Sequence, residues 1–257
     1  MSQIIGAIEE FVNQAKTYYP NVNIYVGHIG FNKKGSSADP TVAPPEWLQY
    51  RKHMKDISIP AYKECTRFGA TYLTNVEYAL NENLLTVADG YHPGEAGNRA
   101  IARAVAEALT RGSASINYTD AYYYYTSQSK RYLFMGDSYC EGWTKKSANY
   151  NEGWAKYCGD ALGLKSTISA HGSSDPSNAA NSAVDTTPND DYERIYVGGA
   201  RFYHTNYNTG KTFYELIIKA HDETFPDYDF TDIVACAGFG DRNSTEINIS
   251  SGIQDFC

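Results

Sequence analysis

At 257 residues, with 42% hydrophobic and 20% charged residues, the chain has a globular composition and is long enough to bury a substantial core. A formal net charge of -8 without any clustering of Lys or Arg argues against nucleic acid or an anionic membrane surface as a partner, since either calls for a concentrated basic face. No run approaches the roughly 20 apolar residues that span a bilayer, and Met1 to Glu10 lacks the charged-then-apolar layout of a signal peptide, so neither is expected.

Along the chain, Ile4, Ile5, Ile8, Phe11 and Val12 recur at helical spacing and predict a helix over Ile4 to Lys16, ended by Pro20. Asn23 to Gly30 reads as a buried strand, Phe31 to Pro45 as a Gly/Ser/Pro-rich loop, and Glu46 to Phe68 as a helix broken near Pro60. A short strand at Thr71 to Thr74 precedes a loop at Asp89 to Pro93 and an Ala-rich helix at Gly94 to Thr110. Residues 111–131, polar and small at both ends with four consecutive tyrosines inside, have no helical period and read as a linker.

Beyond the linker come a strand at Tyr132 to Met135, a helix at Gly153 to Leu162, a strand at Ser166 to Ala170 and a Ser/Asn/Asp/Pro-rich excursion at Ser173 to Asp191. A strand at Arg194 to Val197, a helix at Lys211 to His221, a strand at Asp232 to Ala237 and a tail at Asn243 to Cys257 complete the order. Strands alternate with helices almost throughout, which predicts an α/β fold with a mainly parallel sheet covered on both faces. In such sheets functional residues gather at the C-terminal ends of strands, where Ser138, Gly199, Asp241 and His28 fall.

The five cysteines, Cys65, Cys140, Cys158, Cys236 and Cys257, follow no metal-ligand spacing and read as mostly buried thiols. A metal-dependent hydrolase is a third reading, but His28, His171, His204 and His221 lack ligand spacing and read as packed or surface histidines. The 23 tyrosines are the one excess; such amphipathic rings suit sugar-binding surfaces, although ordinary core and surface positions account for most of them.

Two segments carry the chemistry. The apolar run Tyr132-Leu-Phe-Met leads into Gly136-Asp137-Ser138, which sets a hydroxyl at a strand end with backbone N–H groups nearby to receive an oxyanion. Asp89 and His92 lie three residues apart on one loop, so the carboxylate can fix the imidazole tautomer while the other ring nitrogen faces a serine from elsewhere. Pro93 fits the first turn of the helix that follows. The paired glycines Gly198-Gly199 and the Gly238-Phe239-Gly240-Asp241 tract follow later strands, where backbone N–H groups can approach a ligand closely.

Together these segments resemble the SGNH (GDSL-type) hydrolase family. Gly136-Asp137-Ser138 matches its first block, Gly199 its second, and Asp89-Gly-Tyr-His92-Pro93 the block that holds its last two catalytic residues. The third block, usually Gly-x-Asn-Asp, has Gly240 where the family has Asn, and Asn243 stands two residues beyond Asp241 as a substitute oxyanion donor unless the tract is offset.

The resemblance implies a three-layer α/β/α sandwich of SGNH/flavodoxin-like type. It further implies a Ser138–His92–Asp89 triad, an oxyanion hole from Ser138, Gly199 and Asn243, and no cofactor. The blocks run in the family's order only if residues 132–257 precede residues 1–110, so the chain reads as one circularly permuted domain, 1–257. The rival is a fragment of two tandem domains that completes itself by swapping between chains.

The expected activity is hydrolysis of short-chain esters, with O-acetyl groups on carbohydrate the favoured substrate. The alternative from another class is a glycan-binding or structural module of a surface or phage-tail assembly with a degenerate site. Oligomeric state and compartment stay open, and an extracellular or virion-associated location fits if a leader has been removed.

Overall fold

The computed structural model describes residues 2–30, 52–80, 92–110, 131–137, 139–140, 143–144, 147–148, 153–162, 165–166, 193–197, 212–224 and 229–237. Helix α1 (Ser2–Tyr18) buries Ile4, Ile8, Phe11, Val12 and Ala15 completely, one stripe at the spacing the sequence carries. It stops two residues before Pro20, as the restriction that proline places on its predecessor demands. Lys16 in its last turn donates to the Phe68 carbonyl oxygen at 2.8 Å.

Strand β1 (Asn23–His28) ends two residues earlier than the apolar run suggests, because its neighbour runs out. His28 pairs with Ala237, the last residue of the strand Asp232–Ala237, and the Ile29 N–H makes one more bond to the Ala237 carbonyl at 2.8 Å. The described part of the next predicted helix, 52–68, is not broken at Pro60. A π turn at Met54–Ser58 shifts the hydrogen-bond register, so the Ile59 N–H donates to the Met54 carbonyl, and Pro60 falls in the first turn of α2 (Ile59–Lys63). A proline is tolerated there because its missing N–H has no partner to lose. A 3-10 turn, Glu64–Phe68, leads out to β2 (Thr71–Tyr72).

Helix α3 (Glu95–Thr110) buries Ile101, Ala102, Val105, Ala106 and Leu109 and leaves the Glu95–Arg99 and Arg103–Glu107 pairs exposed. Strand β3 (Arg131–Gly136) is buried from its second residue onward. A small antiparallel pair, β4 (Trp143–Thr144) with β5 (Ser147–Ala148), follows; two-residue strands carry no alternation to read, and the sequence gives no sign of them. Helix α4 (Trp154–Ala161), β6 (Lys165–Ser166) and β7 (Glu193–Val197) come next. Strand β6 covers only the start of the predicted Ser166 to Ala170 strand, and 167–170 lie outside the described residues.

Helix α5 (Phe213–Lys219) is started by a capping box. Thr212 Oγ1 accepts from the Glu215 N–H at 3.2 Å, and the Glu215 carboxylate accepts from the Thr212 N–H at 2.7 Å. Strand β8 (Asp232–Ala237) is buried at every position and matches its predicted bounds.

The sheet has the order β2-β1-β8-β3-β7-β6 and every pairing in it is parallel. Its four longer strands, β1, β8, β3 and β7, form the centre, with two-residue strands at the edges. Successive strand residues point to opposite faces, and here they feed different cores. Leu133, Met135, Ile233 and Ala235 pack with residues of α1, α2 and α5, whereas Tyr132, Phe134, Val234 and Cys236 pack with residues of α3 and α4. That double burial is why β3 and β8 read as continuous apolar runs.

Candidate active site

Strand β3 delivers the chain into a tight turn. The Asp137 carbonyl accepts from the Cys140 N–H at 2.9 Å, and Asp137 Oδ1 accepts from the Tyr139 N–H at 3.0 Å, the bond of an Asx turn. The Tyr139 carbonyl in turn accepts from the Trp154 N–H at the start of α4, at 3.4 Å. Gly136 is a glycine because the turn folds back on the strand end: a Cβ there would stand 2.5 Å from Cys140 Cβ and 3.0 Å from the Cys236 carbonyl oxygen. Ser138 itself lies outside the described residues, and so do Asp89, Gly199, Gly240, Asp241 and Asn243.

His92 is brought to this turn. Its ring lies 5.7 Å from the Tyr139 ring at 74°, an edge-to-face contact, and both residues are buried, at 7% and 1% exposure. Forty-seven positions of sequence, including all of α3 and the 111–131 stretch, separate them, yet the imidazole meets the residue that directly follows Ser138 within one chain. The helix after His92 starts at Glu95, and the Gly94 carbonyl accepts its first bond, from the Asn98 N–H at 2.9 Å. Pro93 therefore stands ahead of the first turn rather than in it, which corrects the expected position.

Comparison with protein-family models, with curated proteins and with solved structures finds no match.

Burial shifts both Cys236 and His28 near this end of the sheet. Cys236 pairs in register with both Gly27 and Gly136, and burial pushes its thiol well up, with the Cys158 thiol and Asp137 adding to the effect. Cys65, Cys140, Cys158 and Cys236 are all buried, as expected, and Cys257 lies outside the described residues. Burial raises the Cys65 thiol to about 12, far from the thiolate that reactivity needs.

His28, at the end of β1, is fully buried, and neither ring nitrogen has a hydrogen-bond partner among the described residues. Its ring meets Tyr62 of α2 at 4.8 Å and 76°. Burial, with His53 and Lys63 nearby, holds its imidazole down at about 3. His221 stacks on Tyr18 at 3.9 Å and bonds Asp222 at 2.7 Å through Nδ1, while His171 and His204 lie outside the described residues. Among the described residues no group of three His, Cys, Asp or Glu side chains could hold a metal ion, and no helix is long and apolar enough to cross a membrane.

Two residues escaped the reading of the sequence. Asp137 was legible only as the middle of a tripeptide, although its carboxylate shapes the turn; Asp two residues ahead of a backbone N–H is a recurrent turn signal that pointed to it. Tyr139 carried no signal beyond its place after Ser138, since an aromatic following a buried strand reads as core.

Proposed function

We propose that the chain is a serine esterase of SGNH type, a single circularly permuted domain that hydrolyses short-chain esters through Ser138, His92 and Asp89. The observation that carries the reading is the contact between the His92 and Tyr139 rings, which joins the two segments where a nucleophile and its base are expected.

The sheet order supports it as well. Taken from β3 to the end of the chain and then from its start, the strands β3, β7, β8, β1 and β2 occupy the flavodoxin-like order 2-1-3-4-5, with β6 outside β7. The switch point then falls between β3 and β8, so Gly136 and Ala237, the last residues of those strands, flank the crevice where ligands of such sheets bind. The separate cores on the two sets of strand residues suit a three-layer α/β/α sandwich.

In this mechanism His92 takes the proton of the Ser138 hydroxyl as the oxygen attacks the ester carbonyl. The backbone N–H groups of Ser138 and Gly199, with Asn243 as third donor, receive the developing oxyanion, and Asp89 holds His92 in one tautomer. Collapse of the tetrahedral intermediate expels the alcohol with the proton from His92. Water, activated by His92, then releases the acid from acyl-Ser138, and no metal or organic cofactor takes part. The preferred substrate is a carbohydrate O-acetyl ester, because the tyrosine-rich composition and polar loops suit a sugar better than a long acyl chain.

Turnover of a short-chain aryl acetate should fall by about 10⁴-fold or more in Ser138→Ala. A fluorophosphonate should label wild type at Ser138. Folded protein that takes no label, or a Ser138→Ala variant that keeps its turnover, overturns the esterase and favours a glycan-binding module.

A further inference from the structure

We propose that Tyr139 is a positioning residue for His92, its ring serving as the fixed wall that sets the plane of the imidazole beside the 137–140 turn. The inference rests on the esterase reading and assigns a role to the residue after the nucleophile.

Three observations carry it. The backbone on both sides of the Tyr139 side chain is pinned, by its own N–H to Asp137 Oδ1 at 3.0 Å and its carbonyl to the Trp154 N–H at 3.4 Å. The next residue is tied too, through the Cys140 N–H to the Asp137 carbonyl at 2.9 Å. The ring is 1% exposed and belongs to the same core as Phe134, Trp154 and Ile101, so the Tyr139 ring has no room to swing. His92, by contrast, sits on a segment that becomes helical only at Glu95. A tilted ring at 5.7 Å and 74° restricts rotation about the last side-chain bond of His92, the freedom that a general base must lose to meet a hydroxyl in line.

The test compares Tyr139→Leu, which removes the aromatic wall, with Tyr139→Phe, which keeps it. In wild type and Tyr139→Phe, the long-range ¹H–¹⁵N correlations of His92, identified by their loss in His92→Gln, should form one sharp set. In Tyr139→Leu they should broaden or split while the other histidines stay unchanged. In parallel kcat should fall about 10- to 100-fold in Tyr139→Leu with KM unchanged, and Tyr139→Phe should restore it, since a displacement near 1 Å costs up to about 100-fold.

An unchanged His92 signal in Tyr139→Leu overturns the proposal whether or not kcat falls, because it leaves Tyr139 a packing role alone. A disordered His92 ring in a protein whose wild type neither hydrolyses the ester nor takes the fluorophosphonate supports the positioning and refutes the esterase. Should Tyr139→Leu fail to fold, Tyr139→Met, whose unbranched chain fills irregular gaps, is read by the same two measurements.

Discussion

Two histidines lie near the C-terminal edge of the sheet, each with a tyrosine ring standing nearly perpendicular to it: His92 with Tyr139 at 74°, and His28 with Tyr62 at 76°. The two pairs share their tilt, with ring centroids 5.7 and 4.8 Å apart, and what surrounds them differs. His28 projects from a strand into the core shared by α1, α2 and α5, is fully buried, and has both ring nitrogens without partners among the described residues. His92 precedes a helix and meets the turn in which Asp137 accepts from the Tyr139 and Cys140 N–H groups. An aromatic wall orients an imidazole, but a base also needs an acceptor of its chemistry at the open nitrogen, and burial alone gives a histidine that resists protonation.

The sharpest break between the two should be functional. His92→Ala should lower ester turnover by about 10⁴-fold, whereas His28→Leu, near in volume and on the other side of β1, should leave it intact. Equal losses from both would place His28 in the proposed reaction and dissolve the distinction.

The pair should also differ in acid. The His28 imidazole sits at about 3 in the folded chain against 6.5 in the unfolded one. Its stabilising contribution is therefore complete above pH 6.5, where both states are neutral. It is lost as pH falls from 6.5 towards 3, because only the unfolded chain takes up the proton. Between pH 7 and pH 4 that linkage amounts to about 3 kcal/mol. Urea unfolding at the two pH values should show His28→Leu losing about 3 kcal/mol less than wild type over the same interval. Parallel losses would mean the ring is protonated in the native state.

How much of this was legible in advance depends on what each segment had to satisfy. Strand β8 was bounded correctly because its six residues are buried on both faces and leave an uninterrupted apolar run. Strand β1 ends two residues short of its apolar run because its end is set by where β8 stops, a fact about the partner and not about Ile29 or Gly30. Pro60 suggested a break because the rule against internal proline assumes α-helical bonding, and the π turn before it changes that bonding. At the candidate site His92 stood out by its carboxylate spacing. Tyr139 did not, because edge-to-face contact across 47 positions leaves no local pattern, and the family resemblance of the Gly-Asp-Ser turn says nothing about its neighbour.

A smaller effect should come from Gly136→Ala. The added methyl would meet Cys140 Cβ at 2.5 Å and the Cys236 carbonyl at 3.0 Å, and the second contact is backbone, which cannot swing aside. Overpacking of this kind costs about 1–3 kcal/mol, and it should displace the 137–140 turn and with it turnover. The loss should be partly recovered by Cys140→Gly in the same chain, which removes the nearer of the two contacts. A Gly136→Ala protein with wild-type stability and turnover would show that the turn is looser than its hydrogen bonds imply.

The smallest effect should come from moving the chain ends. A protein that begins at residue 131, runs to 257, continues into residues 2–110 and omits 111–130 keeps every described strand pairing, since β3 pairs with β7 and β8, and β8 with β1. Permutation changes the entropy of connecting elements and not the contacts between them, and each doubling of a loop costs only about 0.6 kcal/mol. Urea midpoints within experimental spread of wild type, with His92 still in contact with Tyr139 by nuclear Overhauser effect, are expected. If the rearranged chain forms an exchanged dimer by size-exclusion chromatography, or folds without the His92–Tyr139 contact, then residues 111–130 do more than join two ends. The order of the present chain would in that case be part of what holds His92 against the turn.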